Sequence, residues 1–111
     1  MFPIREHVNF ATLFGVQMQV LGLPKLYRFL ESHSDCEQQL LAWVAEVKEV
    51  VWATPNDIKA RYSSASFLAD NRVIFNIKGN KYRLDTKVYY PRHIVMINRI
   101  GTHAEYKEWR F

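Results

Sequence analysis

His103 and Tyr106 are the pair of side chains whose types and spacing suit proton transfer. They stand three residues apart in Gly101-Thr102-His103-Ala104-Glu105-Tyr106, so on a helix they share a face. Thr102 and Glu105 have the spacing of a capping box, which starts a short helix at His103. Free N–H groups at a helix start attract phosphate and disfavour an imidazolium, and a neutral imidazole both accepts and donates protons near physiological pH. A plainer reading is equally open: the pair clips the C-terminal end onto the rest of the fold. His93, in the turn Tyr90-Pro91-Arg92-His93, reads as a solvated loop residue, and Cys36 as inert filling near a helix start.

Cations to serve such a pair come from residues 72–78 and 81–90, two strand-like runs that flank Gly79-Asn80. Gly-Asn between such runs signals a tight hairpin with Gly at the first turn position. That turn sets Lys78 opposite Lys81, Asn76 opposite Arg83, Ile74 opposite Asp85 and Arg72 opposite Lys87. One face then carries five cations, one acid and one amide. The other carries Val73, Phe75 and Ile77 with Tyr82, Leu84 and Thr86, a seat for helices. Like charges placed opposite each other cost about 0.2–1 kcal/mol per pair. An ordinary solvated face mixes its signs, so a phosphodiester backbone is the favoured ligand.

The elements that position these residues are legible from periodicity. Met18 and the Gln-Val-Leu after it read as a first strand. Leu23, Leu26, Tyr27 and Leu30 mark a helix over residues 24–32. Ser34 and Glu37 fit a capping box. The stripe Leu40, Trp43, Val44, Val47, Val50 and Val51 then predicts a helix ending near Trp52. Thr54-Pro55-Asn56-Asp57 opens a further short helix to about Tyr62. Residues 94–100 form a strand apolar on both faces, which places it centrally.

The chain has 111 residues, 49% of them apolar, which suits one domain with a real core. One cysteine excludes a disulfide framework and a cysteine-based zinc cluster. No apolar run reaches the roughly 18–20 residues of a membrane span. Residues 1–17 lack a convincing secretory pattern and read as an N-terminal extension, with the domain proper over residues 18–111 and a cytoplasmic setting. Residues 1–58 carry a net charge of −3 and residues 59–111 one of +7, so the basic half is drawn to a polyanion.

The motif Asn76-Ile77-Lys78-Gly79-Asn80-Lys81-Tyr82-Arg83, with Gly101-Thr102-His103-Ala104-Glu105-Tyr106 some twenty residues on, resembles the HigB-type toxins of bacterial toxin–antitoxin pairs, in the RelE/ParE superfamily. The likeness runs from Met18 to Tyr106. It takes in Ala42-Trp43 with Glu46-Val47-Lys48, Thr54-Pro55, Asp57-Ile58-Lys59 and Ser64-Ala65-Ser66. It implies an α+β, small RelE-like fold: β-α-α-β-β-β with an antiparallel sheet packed on N-terminal helices and a short C-terminal helix. It also implies ribosome-dependent cleavage of mRNA without metal or other cofactor. The implied partners are mRNA on the ribosome, a cognate helix-turn-helix antitoxin and, through that antitoxin, operator DNA; a membrane is not among them. Two positions depart from the pattern. Asn98 stands where relatives carry Arg, with Arg99 beside it, and a one-residue shift along a strand turns a side chain to the other face. Asp85 replaces an apolar residue on the cationic face.

On this reading the ribose 2′-hydroxyl attacks the adjacent phosphate. His103 serves as general base or acid and Tyr106 positions it, while Lys81 and Arg83 stabilise the phosphorane. Arg72, Lys78, Lys87, Asn80 and Arg99 hold RNA, and Asn76 orients Arg83. The competing reading is a catalytically weakened or gyrase-directed binding protein. A plain single-strand RNA-binding domain would interleave aromatics on the cationic face, where the hairpin register places only Tyr89.

Overall fold

Alternation of apolar side chains along 72–77 and 82–88 decides the architecture, because one side of that ribbon must be covered. A computed structural model describes residues 17–111. The expected N-terminal extension lies, but for Gln17, outside them. The elements are β1 (Gln19–Leu21), α1 (Leu23–Leu30), a 3-10 turn (Ser34–Cys36), α2 (Glu37–Val47), α3 (Pro55–Arg61), β2 (Ser66–Leu68), β3 (Arg72–Ile77), β4 (Tyr82–Tyr89), β5 (Ile94–Thr102) and α4 (His103–Tyr106). The strands form one sheet in the order β1-β5-β4-β3-β2. The fold is α+β, as expected.

Three details differ from the sequence reading. The sheet is mixed, because β1 pairs parallel to β5. The helices between them carry the chain back over the sheet, as a parallel pairing requires. A short strand, β2, was not anticipated. Asp70 and Asn71, both at φ +61°, turn it into β3, and Asp-Asn suits a turn that needs two left-handed residues. Finally, α2 stops at Val47 rather than near Trp52. Val50 O instead accepts from Met18 N at 2.9 Å, and Trp52 enters the core in extended chain.

The hairpin register is the one expected, with Arg72 opposite Lys87, Ile74 opposite Asp85 and Asn76 opposite Arg83. Gly79 takes the first turn position at φ +65°, and Lys81 N donates to Lys78 O at 3.1 Å. β5 lies centrally between β1 and β4, with Val95 and Ile97 fully buried. At α1 only Leu26 is buried, while Tyr27, expected on the core stripe, is half exposed. Gly22, at φ +91°, lets the chain turn into α1 against β5: a Cβ there would come 2.6 Å from Ile97 O. The Ser34 capping box does not form; a 3-10 turn leads into α2 without a side-chain cap. At α3 the Asp57 carboxylate does accept the N–H of Thr54 at 3.1 Å and that of Ala53 at 2.8 Å.

Phe75 is the aromatic centre of the core. It meets the edges of Trp43 and Tyr62 and stacks on Trp52, at centroid distances of 5.2, 5.3 and 6.0 Å. Phe75→Ala should therefore cost about 3–5 kcal/mol, read as a lower urea midpoint with an unchanged slope.

Candidate active site: an arginine-rich sheet face under an aromatic cover

The sheet face turned away from α2 and α3 carries Arg83, Asp85 and Lys87 from β4 with Arg72 and Ile74 from β3. β5 adds to it through an irregularity. Asp85 pairs with Arg99 and Thr86 with Ile97, so Asn98 is an extra, bulged residue. A bulge changes which residues share a face. Arg99 thus points at Asp85, and the shift that threatened to turn it to the other side is absorbed.

Asp85 is completely buried. Arg72 Nη1 donates to its two oxygens at 2.8 and 2.7 Å, and Arg99 Nε donates to Oδ2 at 2.8 Å. Two of the cations expected to meet RNA are therefore committed to an internal carboxylate. Phe111 lies over both guanidiniums, 5.0 Å from that of Arg72 and 5.1 Å from that of Arg99, and Trp109 lies 4.3 Å from Arg99. The face is thus covered by residues that follow α4, and it carries more aromatic surface than Tyr89 alone.

Arg83 is held differently. Its Nη1 donates to Asn80 O at 2.9 Å and Tyr82 O at 3.3 Å, and its Nη2 donates to Asn80 Oδ1 at 3.2 Å. It is 8% exposed. Among the described residues it forms no ion pair, so carbonyl oxygens orient its charge without neutralising it. Asn80, placed among the RNA contacts from sequence, orients Arg83; Asn76, given that task, does not.

The capping box expected at Thr102 forms. Glu105 N donates to Thr102 Oγ1 at 3.1 Å, and Thr102 N donates to Glu105 Oε1 at 2.7 Å. His103 N donates to Lys81 O at 3.0 Å, which ties the start of α4 to the hairpin. Tyr106 lies against both His103 and Arg83: its ring centroid is 6.3 Å from that of His103, nearly parallel to it, and 5.2 Å from the Arg83 guanidinium. His103, half-buried, makes no side-chain hydrogen bond among the described residues. The structure thus brings together Arg83, His103 and Tyr106.

It does not bring Lys81 to them. The Lys81 ammonium bonds Asp35 Oδ2 at 2.6 Å, and Tyr82, on the helix side, donates to Asp35 Oδ1 at 2.7 Å. Asp35 is a residue the sequence reading passed over, and it lies in the 3-10 turn Ser34-Asp35-Cys36 that precedes α2. The Lys81 and Tyr82 hydrogen bonds hold the Asp35 carboxyl below its ordinary value, and Asp35 in turn raises Lys81 and Tyr82. Lys78, at φ +57°, also leaves the arginine face: its N donates to Gln39 Oε1 of α2 at 2.6 Å. Lys87 stays on that face, 5.8 Å from the ring of Tyr89.

His93 corrects another expectation. It is half-buried at φ +58°, its carbonyl accepts from Gln19 N, and its Nδ1 is buried without a partner among the described residues. Burial raises the Cys36 thiol above its ordinary value, in keeping with inert filling. Trp109 and Phe111 were missed altogether. The available signal was the three-residue step from Tyr106 to Trp109, which continues the helical period.

The family described as HigB_toxin, a RelE-like toxic component of a toxin–antitoxin system, matches residues 36–109. The chain belongs to this family. A search of curated proteins gives no match. The matched span runs from the turn before α2 to Trp109, so it holds Arg83, His103, Tyr106 and Trp109 and stops short of Phe111. As a HigB-type toxin the chain has a cognate antitoxin as its partner. Among the described residues no helix is long and apolar enough to cross a membrane, and no group of three or more His, Cys, Asp and Glu is placed to hold a metal.

Two predictions come from these ion pairs. Asp85→Ala leaves two guanidiniums facing each other with no acceptor. Breaking a sealed pair costs about 3–5 kcal/mol; because both arginines keep some solvent access, about 2–3 kcal/mol is expected here, read by thermal or urea unfolding. The lowered Asp35 carboxyl stabilises the fold fully above its unfolded value of about 3.9 and loses that contribution as pH falls through the folded value. Asp35→Asn should lower the urea midpoint at about pH 6, and its gap to wild type should narrow as pH falls below the unfolded value and through the lower folded one.

Proposed function

We propose that this HigB-type toxin is a ribosome-dependent mRNA endoribonuclease that cleaves by 2′-hydroxyl attack and so inhibits translation. The observation that carries the reading is Arg83: a nearly buried guanidinium, aimed by carbonyls, without a carboxylate partner among the described residues, and lying against the ring of Tyr106 on which His103 stacks. Such a group invites an anion that gains charge as it reacts. In the reaction an O2′–P bond forms and the P–O5′ bond breaks. His103 takes the proton from O2′ or supplies one to O5′, Tyr106 holds the imidazole, and Arg83 donates to the non-bridging oxygens of the phosphorane. The nucleophile belongs to the RNA, so no step calls for a metal.

The role on the flanking phosphates goes to Lys87, which stays on the arginine face and has no ion-pair partner among the described residues. Lys81 reaches the phosphate only by leaving Asp35, and Arg72 and Arg99 only by leaving Asp85. That neutralisation favours a second reading, in which cleavage is weak and the toxin acts by binding, on RNA or on gyrase. Expression in a bacterium with primer-extension mapping separates the two: new 5′ ends inside codons support the nuclease, and intact messages with DNA damage support the gyrase poison.

On translating ribosomes, His103→Ala and Arg83→Gln should each lower mRNA cleavage by about 10²–10⁴-fold with ribosome association little changed. Cleavage equal to wild type in His103→Ala would remove the histidine from the mechanism.

A further inference from the structure

We propose that Trp109 is the positioning residue for His103 and Tyr106, and that Arg99 and Asp85 act as its platform rather than as contacts to RNA. The proposal rests on the nuclease reading for its activity test and on geometry for the rest. α4 is a single turn of four residues. A helix that short has no stability of its own. The Thr102–Glu105 capping box and the bond from His103 N to Lys81 O fix where the turn begins. Neither fixes how its outer end lies on the sheet. That is left to what Tyr106 packs against.

Tyr106 packs against Trp109, edge to face, with centroids 5.6 Å apart. Trp109 is itself seated on two sides. Its Cζ2 lies 2.9 Å from where a Cβ on Gly101 would stand, so the indole occupies the space that glycine leaves open on β5. Gly101 is the residue opposite Arg83, so the notch adjoins the guanidinium of the site. The other support is Arg99, 4.3 Å from the indole centroid. Arg99 is not free to swing: Nε donates to the buried Asp85, and Nη2 donates to Arg110 O at 3.2 Å, next to Trp109 in the chain. Arg72 secures the far side of Asp85, and Phe111 covers Arg72 and Arg99 together.

An unbroken set of contacts thus runs from Asp85 in β4 through Arg99 and Trp109 to Tyr106, where His103 and Arg83 meet. It also accounts for the two departures from the family pattern as one device. The bulge at Asn98 aims Arg99 at β4, and Asp85 is there to receive it. A carboxylate on a face meant only for phosphate would weaken binding, whereas one that anchors the aromatic support has a use.

Reacting groups displaced by about 1 Å lose about 10²-fold in rate, so removing the support should act on turnover and not on binding. Trp109→Ala is expected to lower single-turnover mRNA cleavage by about 10–100-fold. The ribosome concentration at half-saturation should stay within about twofold, and Trp109→Phe should restore most of the rate. In a double-mutant cycle, adding Trp109→Ala to His103→Ala should cost nothing further, because the support serves that imidazole. Arg99→Lys, which keeps the charge for Asp85 but removes the planar surface, should show the same split, and it serves as the test if Trp109→Ala does not fold.

The NMR resonances of the His103 ring provide a readout that needs no activity. They should shift in Trp109→Ala and in Arg99→Lys as the stacked Tyr106 ring moves away. Unchanged resonances in the folded variants would overturn the proposal. So would weaker ribosome binding at unchanged turnover, which would make the tail an RNA contact, or faster cleavage, which would make it a cover. If wild type cleaves no mRNA but the ring resonances shift as expected, the nuclease reading falls and the positioning stands.

Discussion

A carboxylate with no access to water, gripped from two strands by guanidinium groups, is the interaction on which the functional face depends. Buried as it is, Asp85 needs Arg72 and Arg99 as hydrogen-bond donors, and those two cannot lie side by side without Asp85. Their pairing joins β3, β4 and β5 at one point, decides which way Arg99 faces, and creates the flat cationic surface on which Trp109 and Phe111 rest. The aromatic cover, the seat of Tyr106 and hence the setting of His103 all trace back to it.

Arg83 shows what the same residue type does when the carboxylate is missing. It sits two positions from Asp85 on the same strand and the same face, yet its partners are two carbonyls and a side-chain amide oxygen. Those acceptors fix direction and leave the charge available. The division of labour between paired arginines that build and an unpaired one that is free to act follows from that single difference in acceptor. A lysine could not replace Arg83 in this arrangement, since an ammonium lacks the planar fork that meets both oxygens of Asn80 at once.

The cations of β3, β4, β5 and the hairpin turn are therefore distributed over three environments. Arg72 and Arg99 are spent internally, Lys81 secures the hairpin to the 3-10 turn through Asp35, and Arg83, Lys78 and Lys87 stay without a carboxylate partner among the described residues. Net charge alone overstates how many cations a polyanion would meet. A HigB-type toxin with this face relies on the placement of a few groups more than on a general field.

Much of this was legible beforehand. The Gly79-Asn80 turn fixed the β3–β4 register, because a two-residue turn leaves the pairing no freedom, and the Thr102–Glu105 spacing placed the start of α4, because capping is a local hydrogen bond. His103 and Tyr106 come together for the same reason, being neighbours in the chain. What could not be read was decided by contacts between residues far apart in sequence. The bulge at Asn98 depends on Asp85 thirteen residues earlier. Lys81 is drawn away by Asp35 from the other side of the sheet. The cover forms because Gly101 leaves room for Trp109. Local spacing, then, determined most of the elements, the register of the hairpin and the nearness of His103 to Tyr106. Only the tertiary structure decided which cations are occupied, since a charge takes its partner by distance in space, and the chain brings those partners together only after it has folded.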